Sequence, residues 1–260
     1  MVFDLEGEQE NQGIISSIVP RTNYIIRQSI KKKAHGHIIA ANLDQAILVA
    51  TLVYPRTSLG FIDRFLVTAE SFRIPQVIVF NKKDILKKKG LEHQKELIEL
   101  YTKLDVKCIE VSAVNKEGLD EFMNIIDGKT ALLSGHSGVG KSTLLNAIAP
   151  EVNQKTSEVS DFAQKGVHTT TFAEMFEIKP KTYLIDTPGI KELGLVDMES
   201  DELADYFPEM RALRHDCKYH NCEHTHEPGC AIKEAVEAGE IEVSRYYNYL
   251  SMLEGEDNRR

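Results

Sequence analysis

The chain has 260 residues, of which 42% are apolar and 27% charged, ordinary globular figures that exclude a disordered tail, a collagen-like repeat and a coiled-coil rod. Thirty-one basic against 40 acidic residues leave a net charge of −9, which argues against a protein that coats nucleic acid through bulk charge. The longest apolar stretch, Ile38 to Val53, is broken by Asn42, Asp44 and Gln45 and is too short to cross a bilayer of about 30 Å, so no membrane association is expected.

The start, Met1 to Glu8, has neither the basic end nor the apolar run of a secretory signal, so a reducing, cytoplasmic location is expected. Residues 1–37 read as short β segments, at most three strands around Gly13–Ile18 and Tyr24–Arg27, too few to bury a core alone. Arg21, Arg27, Lys31, Lys32 and Lys33 form a local basic patch there, although any one of them is more simply a solvated charge. From residue 38 strand and helix alternate. Ala46–Ala50 reads as a strand, Leu59 to Phe72 as an amphipathic helix, and Val77–Phe80 as a buried strand. A helix over Leu97–Leu104, a strand over Val106–Val111 and a helix over Leu119–Ile126 follow, then a strand over Thr130–Leu133 and a helix from about Ser142. This alternation predicts an α/β fold with a parallel sheet covered on both faces. After Gly194 the strand signals stop, and residues 197–260 read as a small helical domain around a cysteine cluster.

Gly135-His136-Ser137-Gly138-Val139-Gly140-Lys141-Ser142 is a phosphate-binding loop placed between a strand and a helix. Its N–H groups would cradle phosphate, with Thr143 next in the helix; Lys141 would reach the β and γ oxygens and Ser142 would ligate Mg²⁺. A plain turn is the bland alternative. His136 is a permissive position or a side chain near the γ-phosphate. Asn81-Lys82-Lys83-Asp84 follows a buried strand. The Asp84 carboxylate can accept from guanine N1–H and the exocyclic amine, a pair that adenine lacks, so GTP or GDP is favoured over ATP. Lys82 would lie along the base, and Asn81 would tie this loop to the phosphate loop. Ser112-Ala113, ending the next strand, would present an N–H to guanine O6. Asp186-Thr187-Pro188-Gly189 ends a further strand, so that Asp186 can hold Mg²⁺ through water and the Gly189 N–H can sense the γ-phosphate. In Gly166-Val167-His168-Thr169-Thr170-Thr171, Thr170, or failing it Thr169, is the candidate switch residue on Mg²⁺. A phosphate-loop kinase using ATP would leave Asn81 to Asp84 without a purpose.

These motifs occur in rotated order, base recognition at 81 and 112 preceding the phosphate loop at 135, which marks a circular permutation. The permuted G domain is assigned to residues 38–196, and its second switch leads straight into the C-terminal segment. There Cys217, Cys222 and Cys230 lie within fourteen residues, with His215, His220, His224 and His226 as competing fourth ligands of a closed structural zinc site. Cys108, in a strand, reads as a small buried hydrophobe.

The rotated order, Gly-His-Ser-Gly-Val-Gly-Lys-Ser, His-Thr-Thr-Thr, Asp-Thr-Pro-Gly and Cys-x4-Cys-x-His-x5-Cys together resemble the ribosome small-subunit-dependent GTPase A (RsgA) family over nearly the whole chain. The resemblance implies an OB-fold, a permuted GTPase domain and a zinc domain with Cys217, Cys222, His224 and Cys230 as ligands. It implies slow GTP hydrolysis stimulated by the 30S ribosomal subunit and its 16S rRNA during late maturation, by a monomer. A nucleotide-gated rRNA-binding module with incidental hydrolysis is the rival. Residues 1–37 suffice only for the last strands of an OB-fold, as a shortened chain or altered start would produce. Ile190 stands where Ras-like GTPases carry the glutamine that orients water, and His168 resembles the histidine proposed for that role in the family, against a loop histidine with no chemical duty.

Overall fold

The computed structural model describes residues 2–4, 14–29, 32–150, 173–186 and 198–255. At its centre is a six-stranded sheet in the order β7-β6-β5-β8-β10-β9. Its strands are β5 (Gln45–Ala50), β6 (Gln76–Phe80), β7 (Lys107–Glu110), β8 (Thr130–Ser134), β9 (Glu174–Lys179) and β10 (Thr182–Asp186). The strands pair in parallel except β9, which runs antiparallel to β10 at the edge. Apolar runs such as Ala46 to Ala50 are buried on both faces, as a covered parallel sheet requires. Side chains alternate in direction along a strand. Ala46, Leu48 and Ala50 therefore meet α1 (Leu59–Ser71) and α2 (Lys88–Lys103), whereas Ile47 and Val49 join the cluster containing α3 (Leu119–Ile126) and α4 (Lys141–Ile148).

β9 has no counterpart among the sequence expectations. Its Phe176 is buried in the second cluster while Met175 is exposed, a half-buried edge pattern too short to stand out from a loop. At the N-terminal end four strands replace the three expected at most. β1 (Val2–Asp4) pairs antiparallel with β2 (Ile14–Ser17), and β3 (Tyr24–Ser29) with β4 (Lys32–Ala41). The expected boundary between residues 37 and 38 falls inside β4. Ile25 and Ala40 enter the first core cluster, and the Tyr24 ring sits 5.2 Å from that of Phe72, so the hairpin obtains its core from the sheet domain.

The C-terminal segment contains α5 (Pro208–Leu213), α6 (Ala231–Ala238) and α7 (Val243–Leu253). Leu203, Phe207, Met210, Ile232, Tyr249 and Met252 form a third cluster there, and Val67 of α1 belongs to it. α1 is consequently buried from Gly60 through Ala69, polar residues included, because sheet and C-terminal helices cover it on opposite sides. Asp63 and Arg245, on α1 and α7, meet there at 2.6 Å with at most 2% of either side chain exposed. Among the described residues, no helix is long and apolar enough to cross a membrane.

Candidate nucleotide site and metal cluster

The nucleotide motifs among the described residues lie at the C-terminal ends of β6, β7, β8 and β10, the side on which a parallel sheet takes its ligands in a crevice. The phosphate loop links β8 to α4. Gly135 (φ +143°) packs so closely that a Cβ there would lie 2.4 Å from the Val49 carbonyl oxygen. Gly140 (φ +96°) would place a Cβ 2.4 Å from Asn81 Nδ2, so only glycine fits either position. Lys141 curls back, its Nζ donating to the carbonyls of Gly135 (2.7 Å) and His136 (3.1 Å). Burial lowers the pKa of this ammonium, and nearby Asp186 works the other way. A half-buried cation among carbonyl oxygens suits an anion such as phosphate. Ser142 and Thr143 lie exposed in the first turn of α4, and Ser137 and Gly138 are exposed while Val139 is buried.

The base-recognition segment is tied to this loop at several points. Asn81 Nδ2 donates to the Val139 carbonyl at 2.8 Å. Lys82 is in the left-handed region (φ +63°), and its Nζ donates to the carbonyls of Gly138 (2.7 Å) and Tyr54. Ser112 Oγ donates to Asp84 Oδ1 at 2.6 Å and accepts the Asn115 N–H at 3.1 Å. The Ala113 N–H, expected to face guanine O6, donates to Asn81 Oδ1 at 3.2 Å. Lys83 is set apart from the crevice by its bond to Glu110 Oε2 at 3.1 Å, and Gln94 of α2 donates to the other oxygen of that carboxylate. The structure thus brings together Asn81, Lys82, Asp84, Ser112, Ala113 and the phosphate loop, with Asp186 at the end of β10 near Lys141. His168, Thr169, Thr170 and Gly189 lie outside the described residues. His136 makes a packing contact that its place in the loop did not announce. Its ring stacks on Phe61, centroids 3.8 Å apart.

In the C-terminal segment, Cys217, Cys222, His224 and Cys230 offer ligand atoms that all lie within 4.8 Å of one another. His224 Nδ1 is 3.6 Å from Cys217 Sγ and 3.4 Å from Cys230 Sγ, spacings that suit four donors about one tetrahedral cation. His215, His220 and His226 are exposed, so geometry decides among the four imidazoles for His224. Burial pushes the Cys222 thiol up to about 12 and lowers His224 below its usual range, so a metal binding here must displace thiol protons. The ligand loop is pinned from α7: Tyr246 OH donates to the His224 carbonyl (2.6 Å) and Tyr249 OH to that of Glu223 (2.9 Å).

A family profile described as RsgA GTPase matches residues 18–196. The chain is 51% identical to small ribosomal subunit biogenesis GTPase RsgA 2 of Bacteroides thetaiotaomicron, over 96% of this chain and 80% of that protein. It is 53% identical to small ribosomal subunit biogenesis GTPase RsgA of Cytophaga hutchinsonii, over 96% and 81% respectively. Among solved structures, YjeQ from Thermotoga maritima superposes with a TM-score of 0.78 at 36% identity, covering 97% of this chain and 82% of that one. YloQ, described as a circularly permuted GTPase, gives 0.75 at 30% identity, with 99% and 79% covered. With the rotated motifs meeting at one crevice, these likenesses identify the chain as a circularly permuted GTPase that belongs to the RsgA GTPase family.

Proposed function

We propose that the chain is a GTP hydrolase acting in maturation of the small ribosomal subunit, where it binds the 30S particle through 16S rRNA as a cytoplasmic monomer and hydrolyses GTP faster when bound. Relatives about half identical over nearly the whole chain carry the biogenesis name, and the crevice has the chemistry to bind guanine and phosphate. The single observation that carries the reading is the Asn81 bond to Val139, because it joins base recognition and the phosphate loop into one pocket.

Asp84 reads guanine N1–H and the amine, Lys82 lies along the base, and Ala113 lends its N–H to O6 when Asn81 shares it. The loop N–H groups from Ser137 to Thr143 and the Lys141 ammonium hold the β and γ phosphates. Ser142, Thr170 and Asp186 are the residues that would hold Mg²⁺, which neutralises charge developing on the phosphates. Gly189 senses the γ-phosphate. His168 orients water in the role that Ile190, standing where Ras-like GTPases carry a glutamine, cannot fill, and the particle completes the site. Cys217, Cys222, His224 and Cys230 hold one structural Zn²⁺. Residues 1–37 are the end of an OB-fold, 38–196 the GTPase domain and 197–260 the zinc domain.

The test is GTP turnover by the full chain with and without purified small subunits. The expected rise is roughly 10³-fold, the lower end of what completing a site with an arginine finger gives. Nucleotide-dependent binding with flat turnover would instead indicate an rRNA-binding module in which hydrolysis is incidental.

A further inference from the structure

Helix α1 stands between the phosphate loop and the C-terminal helices. Phe61, 2% exposed, lays its ring against His136 of the loop with the planes inclined by 30°. Two residues further is about 200° around the axis at 3.6 residues per turn, so Asp63 faces the other side. There Asp63, Val67 and Glu70 form a stripe at i, i+4 and i+7. Each meets the C-terminal segment. Asp63 accepts from Arg245 (2.6 Å) and Asn248 (2.5 Å), Val67 enters the third core cluster, and Glu70 pairs with Arg211 (2.7 Å). Tyr101 of α2 donates to the same Asp63 oxygen at 2.9 Å, and Arg245 also holds Glu209 of α5. A helix packed this densely on both sides cannot shift without disturbing both neighbours.

We propose that Phe61 is a positioning residue for β-phosphate binding. It seats the phosphate loop through His136, and the Asp63–Arg245 cluster holds it in place from the C-terminal side. This inference rests on the guanine-nucleotide reading above and deepens it. The far part of the loop is fixed by Asn81 on Val139 and Lys82 on Gly138, whereas the second position, His136, carries the ring contact. Converging N–H groups lose affinity steeply when a loop wanders by fractions of an ångström. Lys141 holds the Gly135 and His136 carbonyls from the inner side, so removing the Phe61 ring loosens the outer side of the loop at His136, and the penalty falls on the β-phosphate that it encloses rather than on the base.

The experiment uses the full chain and competition of GDP and GMP against a fluorescent GDP. Phe61→Leu is expected to weaken GDP roughly tenfold and GMP by no more than about twofold. His136→Ala should do the same, and the double variant should be no weaker than the weaker single one. Arg245→Lys should lower the GDP/GMP preference in the same direction. That ratio is insensitive to a mere loss of folded protein, and Phe61→Met replaces Phe61→Leu if the latter does not fold. Equal losses for GDP and GMP, unchanged affinities, or fully additive losses in the double variant would overturn the proposal. Asp84→Asn is the separate control, since GDP affinity unaltered by that change sinks the guanine reading, whatever Phe61 does.

Discussion

Two arginines on the C-terminal helices bind acids of the same helix, α1, and show how burial sets the value of a contact. Arg245 has 2% of its side chain exposed and bonds Asp63 and Glu209. Burial works against its charge, yet the two carboxylates hold the guanidinium protonated, above its ordinary value. Arg211 pairs with Glu70 while 48% exposed. Breaking a buried pair by removing one partner costs about 3–5 kcal/mol, because a charge stays behind out of water. A solvent-exposed pair contributes about 0–1 kcal/mol. Urea unfolding should therefore show Arg245→Leu destabilised by several kcal/mol and Arg211→Ala by about 1 kcal/mol or less. Equal effects would mean that water reaches Asp63. Neither pair was legible in the sequence, since Arg245 and Asp63 are separated by 182 positions. Asp84, Lys141 and the cysteines were legible because their chemistry is written in local spacing.

The elements around the metal cluster are short. α5 has six residues and α6 eight, below the length at which a helix stands alone. Neither carries a side-chain cap, so packing and an ion held by the cluster would have to keep them in place. His224 adopts φ +60°, unusual for a residue with a side chain, and its loop is steadied by Glu227, which accepts N–H bonds from Glu223 (2.9 Å), Thr225 (3.0 Å) and His226 (3.1 Å). Burial opposes the Glu227 charge, but these donors outweigh it and bring its pKa from 4.5 to about 2. A depressed carboxyl contributes its full stabilisation above its unfolded value of 4.5 and loses it progressively as pH falls from there through about 2, while in the folded chain it stays charged down to about 2. Mild acid, near pH 4, should accordingly release zinc by protonating the ligands while Glu227 remains charged. Chelation at neutral pH should lower the melting temperature, and added zinc should restore it. A chelator that leaves the melting curve unmoved would rule out a structural ion. At this scale the strand-helix alternation was readable from apolar spacing. β9 was not, and nothing in the spacing of α1 marked its polar side as buried, because what covers it comes from the far end of the chain.

Across the whole molecule, the C-terminal segment and the nucleotide half share α1 rather than meeting at a tether. Thermal unfolding should then be a single cooperative transition, and GDP should slow amide exchange in α7 as well as in the phosphate loop. Protection confined to the loop would show that the halves open independently. The rotated motif order made the permutation readable, while the docking stripe of Asp63, Val67 and Glu70 became visible only when its partners were in place.

The Asp63–Arg245 clasp also closes a circuit. Backbone runs from α1 through β10 to α7, and the clasp returns from α7 to α1, so tension applied to the C-terminal helices is shared between a covalent strand and a salt-bridged shortcut. A partner gripping those helices would therefore pull, through Arg245 and Asp63, directly on the lever that carries Phe61.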